Sequence, residues 1–194
     1  LLPDGVTAAG AGIEVIANGP LPDVAVHTDD HGKFEFAPIF PPGYYTLTAR
    51  DPITAGLAQS RVYLKTGQDL TANLTLRSRG TLRVTVVDGA NNPESQARVQ
   101  VTEVDFPGNT YERVIDASNG GSVTFERVYA GELSITASDS FGRGGRLAMR
   151  MPLSSEVVNA TVRFNVTGKV SGRFFMPDGA PVRVKLMGYA EEIR

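Results

Sequence analysis

The stretch GKFEFAPIFPPGYYTLTA, residues 32–49, decides the fold of this chain. Its KFEF segment alternates charged and aromatic residues, and its YTLTA segment alternates apolar residues with threonines. A period of two is typical of a β-strand with one buried face. The Pro-Pro-Gly sequence between the segments reverses the chain, because proline lacks the N–H group that a central strand needs and glycine tolerates positive φ. We therefore predict a core-forming β-hairpin here.

The same pattern returns at residues 121–137, where the apolar positions are kept and the Pro-Pro-Gly turn is replaced by Tyr-Ala-Gly. Other segments also recur, residues 96–101 matching 10–15 and residues 160–164 matching 72–76, at a spacing of about 84 to 90 residues. This periodicity predicts tandem units. The equivalent positions of the two hairpins are Gly32 and Gly121, Phe36 and Phe125, Gly43 and Gly131, Tyr45 and Leu133, Leu47 and Ile135, and Ala49 and Ala137.

We predict three segments from this periodicity. Residues 1–78 form a first β-sandwich repeat that lacks its first strand, and residues 79–167 form a second, complete repeat. Residues 168–194 hold the opening strands of a truncated third repeat, expected to dock on the second or to cover a sheet edge, because two strands alone are marginally stable. The most regular strand of the first repeat is predicted at residues 70–76.

Composition favours β structure and excludes several functions. The chain has 21 glycines and 12 prolines, and we predict no helix in it. A net charge of −2 with both signs interspersed argues against nucleic-acid binding. No apolar run reaches the roughly 20 residues that span a bilayer, so no direct membrane insertion is expected. The absence of cysteine excludes disulfides and thiolate metal sites. The chain starts without methionine, and we expect it to be cut from a longer protein.

The order of motifs resembles the carboxypeptidase regulatory-like repeats. In the first unit the pattern comprises Asp4-Gly5, the strand at residues 11–15, the segment TDDHGKFEF and the segment PPGYYTLTA. The second unit has a degraded version. The resemblance implies an all-β fold of tandem antiparallel sandwiches, transthyretin-like or Ig-like, with about seven strands each. Two packed sheets are also what the alternating patterns require.

The resemblance further implies a non-catalytic module of secreted or surface-attached bacterial proteins. We expect a structural or adhesive repeat that acts as a spacer or presenting scaffold at the cell surface, with neighbouring repeats of the same chain or fibre as partners. The alternatives are a carbohydrate-binding module, whose partner is a surface glycan or protein, and an accessory domain of a secreted enzyme. Related collagen-binding-type repeats often carry a Lys–Asn isopeptide bond, but residues 66–168 contain no lysine, so none is expected in the second unit.

No catalytic residue, cofactor or metal site is predicted. His27 and His31 lie beside Asp29 and Asp30, where imidazole and carboxylate ligands could converge on a metal, but a solvated turn is the favoured interpretation. The glycine- and arginine-containing segment at residues 141–146 is interpreted as a mobile loop rather than an anion site.

Exposed aromatic residues are the remaining candidates for ligand binding. Carbohydrate-binding modules stack sugars on aromatic faces. The chain has no tryptophan, but Tyr44 and Tyr63 are predicted to face outward, and Phe106 and Tyr111 are candidates to join them. Three N-glycosylation sequons begin at Asn73, Asn159 and Asn165, and outward polar strand positions are enough to explain them.

Overall fold

The computed structural model describes residues 1–37, 40–116, 118, 120–153, 157–165, 175 and 177. The elements assigned within them are eleven β-strands, which confirms the predicted all-β class. The predicted third repeat, residues 168–194, lies outside the described residues except for two positions. The boundaries proposed between repeats stay a prediction. For convenience, residues 1–76 are called unit 1 and residues 79–165 unit 2.

Unit 1 contains one four-stranded antiparallel sheet. Its strands are β1 (Glu14–Asn18), β2 (Val24–His27), β3 (Gly43–Arg50) and β4 (Leu57–Leu64), in the spatial order β2-β1-β3-β4. The inward residues of this sheet cover a core together with side chains from segments 33–37 and 70–76. The buried members of the core are Ile13, Val15, Ala17, Leu47, Ala49, Ala58, Leu74 and Leu76.

Unit 2 is a β-sandwich of seven strands, the number predicted. Side chains from both of its sheets enclose a second core. A four-stranded sheet has the order β10-β9-β6-β7, and a three-stranded sheet has the order β11-β5-β8. The strands are β5 (Arg79–Val87), β6 (Arg98–Glu103), β7 (Thr110–Val114), β8 (Ser122–Tyr129), β9 (Gly131–Ser138), β10 (Gly144–Met151) and β11 (Val157–Arg163).

One strand pair departs from the predicted antiparallel arrangement. Strand β11 runs parallel to β5, with Ala160 opposite Val84 and Val162 opposite Val86. Parallel neighbours need a long crossover connection, and the five strands between β5 and β11 provide it. This pairing adds β11 to the edge of the three-stranded sheet and brings together the first and last strands of the unit.

The hairpin predicted at residues 32–49 is wrong. Strand β3 pairs with β1 and β4. Residues 33–37 are not a partner of β3. In unit 2 the equivalent strands lie in different sheets, β8 against β5 and β9 between β6 and β10. Residues 33–37 of unit 1 therefore pack Phe34 and Phe36 against the core without lying side by side with β3 in a hairpin.

The strand predicted at residues 70–76 is also not a ladder strand. Leu74 and Leu76 are buried, 6% and 3% exposed, as the alternating pattern predicted. However, among the described residues the backbone of this segment bonds only to Leu1: the amino group of Leu1 donates to the Leu74 carbonyl at 2.6 Å, and the Leu76 N–H donates to the Leu1 carbonyl at 2.9 Å. Alternation predicted the burial of Leu74 and Leu76 but not the 40% exposure of Leu70, and a ladder strand also needs a neighbouring strand.

The two four-stranded sheets have the same strand order, since β7-β6-β9-β10 corresponds to β2-β1-β3-β4. Their registers correct the sequence alignment. Val15 lies opposite Ala49, and Val99 lies opposite Ala137, so Val99 corresponds to Val15 and not to Ile13. The sequence alignment of these two strands is therefore shifted by two residues. A shift of two leaves the inward-facing residues facing inward, so the apolar pattern does not detect it.

Candidate functional site

Two exposed tyrosines form a pair on the outer face of unit 1. Tyr44 on β3 and Tyr63 on β4 are direct cross-strand partners. Their ring centroids are 4.8 Å apart, and the residues are 61% and 48% exposed. They face outward because Tyr45 and Val62, the next residues along the strands, face the core side. The predicted outward orientation of both tyrosines is confirmed.

Arg61 extends this aromatic surface. Its guanidinium carbon lies 4.8 Å from the centroid of the Tyr44 ring, in a cation–π contact. Arg61 is two residues from Tyr63 on β4, so both side chains project from the same face of the sheet. The resulting tyrosine–arginine surface, Tyr44, Arg61 and Tyr63, combines flat apolar rings with hydrogen-bond donors. Sequence reasoning missed Arg61, although its spacing from Tyr63 placed it on the same face.

Tyr111 does not join this surface. It lies on β7 of unit 2, is partly buried and packs against the core of that unit. Its hydroxyl group donates a hydrogen bond of 2.8 Å to Oε1 of Glu103. Burial, followed by the hydrogen bond to the Glu103 carboxylate and its charge, raises the pKa of Tyr111 to about 12. Tyr111 does not face outward like Tyr44 and Tyr63, because it lies opposite the fully buried Val101 of β6 and so on the inner side of the sheet.

Phe106 also lies away from the tyrosine–arginine surface. It follows β6 in unit 2, and its carbonyl oxygen accepts a hydrogen bond from Nη1 of Arg77. The backbone of Phe106 is thus part of the junction between the units. Ligand binding by Tyr44, Tyr63, Phe106 and Tyr111 stays a prediction, and the last two also have the structural contacts described here.

Arg77 connects the two units. Its backbone N–H donates to the carbonyl of Leu57 in unit 1 at 2.8 Å, while its Nε donates to the carbonyl of Ala130 in unit 2 at 2.6 Å. Nη2 lies 3.5 Å from the Asp105 carboxylate. The Arg77 side chain is 17% exposed, so its bonds to the carbonyl groups are partly shielded from water, while the Asp105 side chain is 54% exposed. One residue is therefore tied to unit 1 by its backbone and to unit 2 by its side chain.

Tyr129 provides a second connection across the junction. Its hydroxyl group donates to the Ala55 carbonyl of unit 1 at 2.8 Å, and its ring is buried in unit 2 with 1% exposure. Arg79 lies over the Tyr129 ring, 4.4 Å from the centroid, and donates to its hydroxyl oxygen. The Ala130 N–H also donates to the Ser78 carbonyl at 2.9 Å. We refer to Arg77, Arg79, Tyr129 and Ala130 with these partners as the junction network.

A buried carboxylate lies close to the junction network. Glu103 is 2% exposed, and its Oε1 accepts hydrogen bonds from the Tyr129 N–H at 2.9 Å and the Tyr111 hydroxyl group at 2.8 Å. Its Oε2 accepts from the Asn109 N–H at 3.2 Å. Sequence reasoning missed Glu103. The alternation of Val99 and Val101 on β6 was the available signal, because it puts residue 103 on the inner face.

Aspartates at the start of turns accept hydrogen bonds from backbone N–H groups. Oδ1 of Asp29 accepts from the N–H groups of His31 and Lys33, both at 2.9 Å. These bonds, the one from Lys33 first, lower the pKa of Asp29. Within the described part of the chain no group of three or more His, Asp or Glu side chains is arranged to hold a metal. The contacts of Asp29 are those of the turn that was favoured over a metal site.

The segment at residues 141–146 is better ordered than predicted. Arg143 donates to Asp139 at 2.6 Å and to both carboxylate oxygens of Glu94, at 2.7 and 3.0 Å. Residues 144–146 belong to strand β10. The interpretation as a mobile loop is wrong for this part, because a bidentate ion pair and a sheet edge fix the arginine.

No family model matches the chain, and no curated protein matches it either. Among solved structures, the Bacillus anthracis TIE protein is 16% identical, with 90% of this chain and 38% of that chain covered and a TM-score of 0.39. BcpA, the major pilin subunit of Bacillus cereus, is 12% identical in the D312A form, with 82% and 58% covered and a TM-score of 0.35. The shaft pilin SpaA from Lactobacillus rhamnosus GG, D295N mutant, is 10% identical, with 88% and 98% covered and a TM-score of 0.34.

The chain thus spans 38% of the first of these structures and 58% of the second. Similarity at this level assigns no function to the present chain. Among the described residues there is also no helix long and apolar enough to cross a membrane.

Proposed function

We propose that this chain is a non-catalytic spacer segment of a large extracellular or cell-surface protein. In this role it holds neighbouring β-sandwich units in a fixed orientation and presents other parts of the protein. The sequence resemblance to carboxypeptidase regulatory-like repeats, a family that forms strings of such units, supports the proposal. The observation that carries it is the junction network.

A spacer requires a linker that resists bending, and the linker here is short and bonded on both sides. Flexible domain boundaries have few contacts across them. In this chain the Arg77 backbone bonds to unit 1 and its side chain to unit 2, while Tyr129 reaches back to Ala55. Bending at the linker would break hydrogen bonds that are partly removed from water, which makes it costly.

The test is the distribution of distances between the units. The chain contains no cysteine, so spin labels can be attached at Lys65→Cys in unit 1 and Arg113→Cys in unit 2, both exposed positions. A rigid spacer gives one narrow distance distribution by pulsed electron resonance, and the added substitution Arg77→Ala broadens it. A broad distribution for the chain with its native Arg77 would contradict the proposal.

The tyrosine–arginine surface supports a second candidate, carbohydrate binding. Tyr44 and Tyr63 offer exposed rings on adjacent strands, and Arg61 offers donors beside them. Sugars stack on such rings through their apolar faces. A glycan array should then show binding that is lost in the Tyr44→Ala/Tyr63→Ala double variant. The control is Phe141→Ala, which removes an aromatic residue that is 86% exposed in unit 2. Absence of binding to any glycan would eliminate this candidate.

A further inference from the structure

The two units differ in the sheet that contains β5. In unit 2, β5 lies between β8 and β11 and is fully buried at Leu82, Val84 and Val86. Residues 33–37 of unit 1 are equivalent to β8, because Phe36 matches Phe125. Residues 70–76 are equivalent to β11. Both are extended but lack ladder partners among the described residues. Unit 1 thus has the two flanking segments of a three-stranded sheet without the strand between them.

Burial of the side chains shows the same difference. Phe125 on β8 is 2% exposed and lies opposite Leu82 of β5. Its equivalent Phe36, and Phe34 beside it, are only partly buried and pack at the margin of the unit 1 core. The backbone groups of residues 34–37 make no hydrogen bond to another segment of the described chain. An apolar margin beside unpaired backbone groups is the signature of a site for strand addition.

Leu1 marks where such a strand ends. In unit 2 the Phe164 N–H donates to the Val87 carbonyl at 2.9 Å, at the last residue of β5. In unit 1 the Leu76 N–H, equivalent to that of Phe164, donates to the Leu1 carbonyl, also at 2.9 Å. The nitrogen of Leu1 bonds to the Leu74 carbonyl at 2.6 Å. Leu1 therefore occupies the place of Val87.

We propose that unit 1 accepts a β-strand joined to the amino side of Leu1, which lies between residues 33–37 and 70–76. The strand runs parallel to residues 70–76 and antiparallel to residues 33–37, as β5 does to β11 and β8. Its residues one, three and five places before Leu1 correspond to Val86, Val84 and Leu82 and are apolar. A strand from another molecule that extended to the position of Val87 would have to displace Leu1 from its two hydrogen bonds, which favours the covalently joined strand.

The register gives a sharp experiment on the complete chain. One variant carries the eight residues RGTLRVTV, copied from residues 79–86, fused directly before Leu1. The matched control carries the same eight residues with one threonine inserted before Leu1. The insertion moves every apolar residue of the added strand to the solvent face without changing its length by more than one residue.

The in-register fusion should raise the Tm of unit 1 by about 5 °C or more, and it should slow amide hydrogen exchange at residues 34–37 and 71–76 at least tenfold. The shifted control should give neither effect. Equal behaviour of the two fusions, or no protection by the first, would overturn the proposal. So would equal protection by the free peptide TLRVTVV added to the unmodified chain, because the strand would then not need to be joined at Leu1.

Discussion

Nε of Arg77 donates a 2.6 Å hydrogen bond to the carbonyl oxygen of Ala130, although the two residues are 53 positions apart in sequence. The bond joins the linker after unit 1 to the turn between β8 and β9 of unit 2. The Arg77 backbone is itself hydrogen-bonded to Leu57 on β4. Arg77 therefore joins strand β4 of unit 1 to the turn between β8 and β9 of unit 2.

Replacing Arg77 with alanine should destabilise the junction. Hydrogen bonds that involve a charged group contribute about 1.5–3 kcal/mol each, so we expect Arg77→Ala to lower the free energy of unfolding by about 2 kcal/mol in urea titrations. The matched control is Arg98→Ala, which breaks an ion pair with Glu112 whose side chains are 63% and 46% exposed and should cost about 0.5 kcal/mol or less. Equal losses in the two variants would mean that the junction bonds contribute no more than a surface pair.

A methyl group at Gly131 should disrupt the same network. Gly131 has a φ of 130°, and a Cβ there would collide with the Arg77 guanidinium and lie 2.8 Å from Oδ2 of Asp105. Backbone strain of about 1–3 kcal/mol adds to the lost arginine bonds, so we expect Gly131→Ala to cost about 3 kcal/mol in the same titration. Gly67→Ala is the control, since Gly67 also has positive φ but has no atom within 4 Å of the added Cβ. It should cost about 1 kcal/mol, and a larger loss there than at Gly131 would contradict the steric explanation.

The buried carboxylate of Glu103 should respond differently to alanine and glutamine. Glu103→Ala leaves the N–H groups of Tyr129 and Asn109 without this acceptor, and leaves the Tyr111 hydroxyl group only the Arg127 carbonyl at 3.4 Å. Each donor that water cannot reach costs about 1–3 kcal/mol. We expect a loss of about 3 kcal/mol in the free energy of unfolding. Glu103→Gln retains Oε1 for Tyr129 and Tyr111 and should cost about 1 kcal/mol. An alanine variant as stable as the parent chain would mean that water replaces the carboxylate.

Stability should fall in acid because the turn aspartates are stabilised as carboxylates. Hydrogen bonds from the Asn92 side chain, from its N–H and from Ala90 lower the pKa of Asp88 below 3.8, against the opposing effect of burial. A carboxyl group with a depressed folded pKa stabilises the protein above its unfolded pKa, and this contribution is lost as the pH falls through the folded pKa. Thermal unfolding between pH 6 and pH 2.5 should therefore show a Tm that declines from about pH 4 downward.

The Asp88→Asn variant provides the check on that pH dependence. Asparagine keeps an oxygen that can accept from the backbone but cannot ionise, so the acid decline of the Tm should be shallower than in the parent chain. Asp30→Asn, at an exposed position in another turn, controls for the loss of one negative charge. If both variants flatten the profile equally, net charge rather than the Asp88 bonds governs the decline.

Much of the local structure could be predicted from alternation alone. The inward and outward faces of β3, the exposure of Tyr44 and the burial of Leu74 follow from a period of two. The orientation of Tyr111 could not be predicted in this way. It depends on the register of β7 against β6, which puts Tyr111 opposite Val101, and on the presence of Glu103 within hydrogen-bond distance, and neither is encoded in the residues next to it.

The junction network could not be predicted from the sequence either, because its partners are distant along the chain. Nothing in the residues around Arg77 indicates a partner 53 positions away. The three acceptors of its guanidinium group are two backbone carbonyls and one carboxylate, and carbonyl groups carry no sequence signature. Contacts between a side chain and a distant backbone become visible only when the turns that present the carbonyls are in place.

By itself, the sequence determined that the elements are β-strands and which faces of strands such as β3 point inward, because side-chain alternation is a local property of the extended chain. Only the tertiary structure decided that residues 33–37 do not pair with β3. Two apolar faces can be buried equally well by a hairpin packed on a third layer or by two strands facing each other across a core. The choice depends on which neighbours satisfy the backbone N–H and C=O groups, and those neighbours, β1 and β4 for β3, come from elsewhere in the chain.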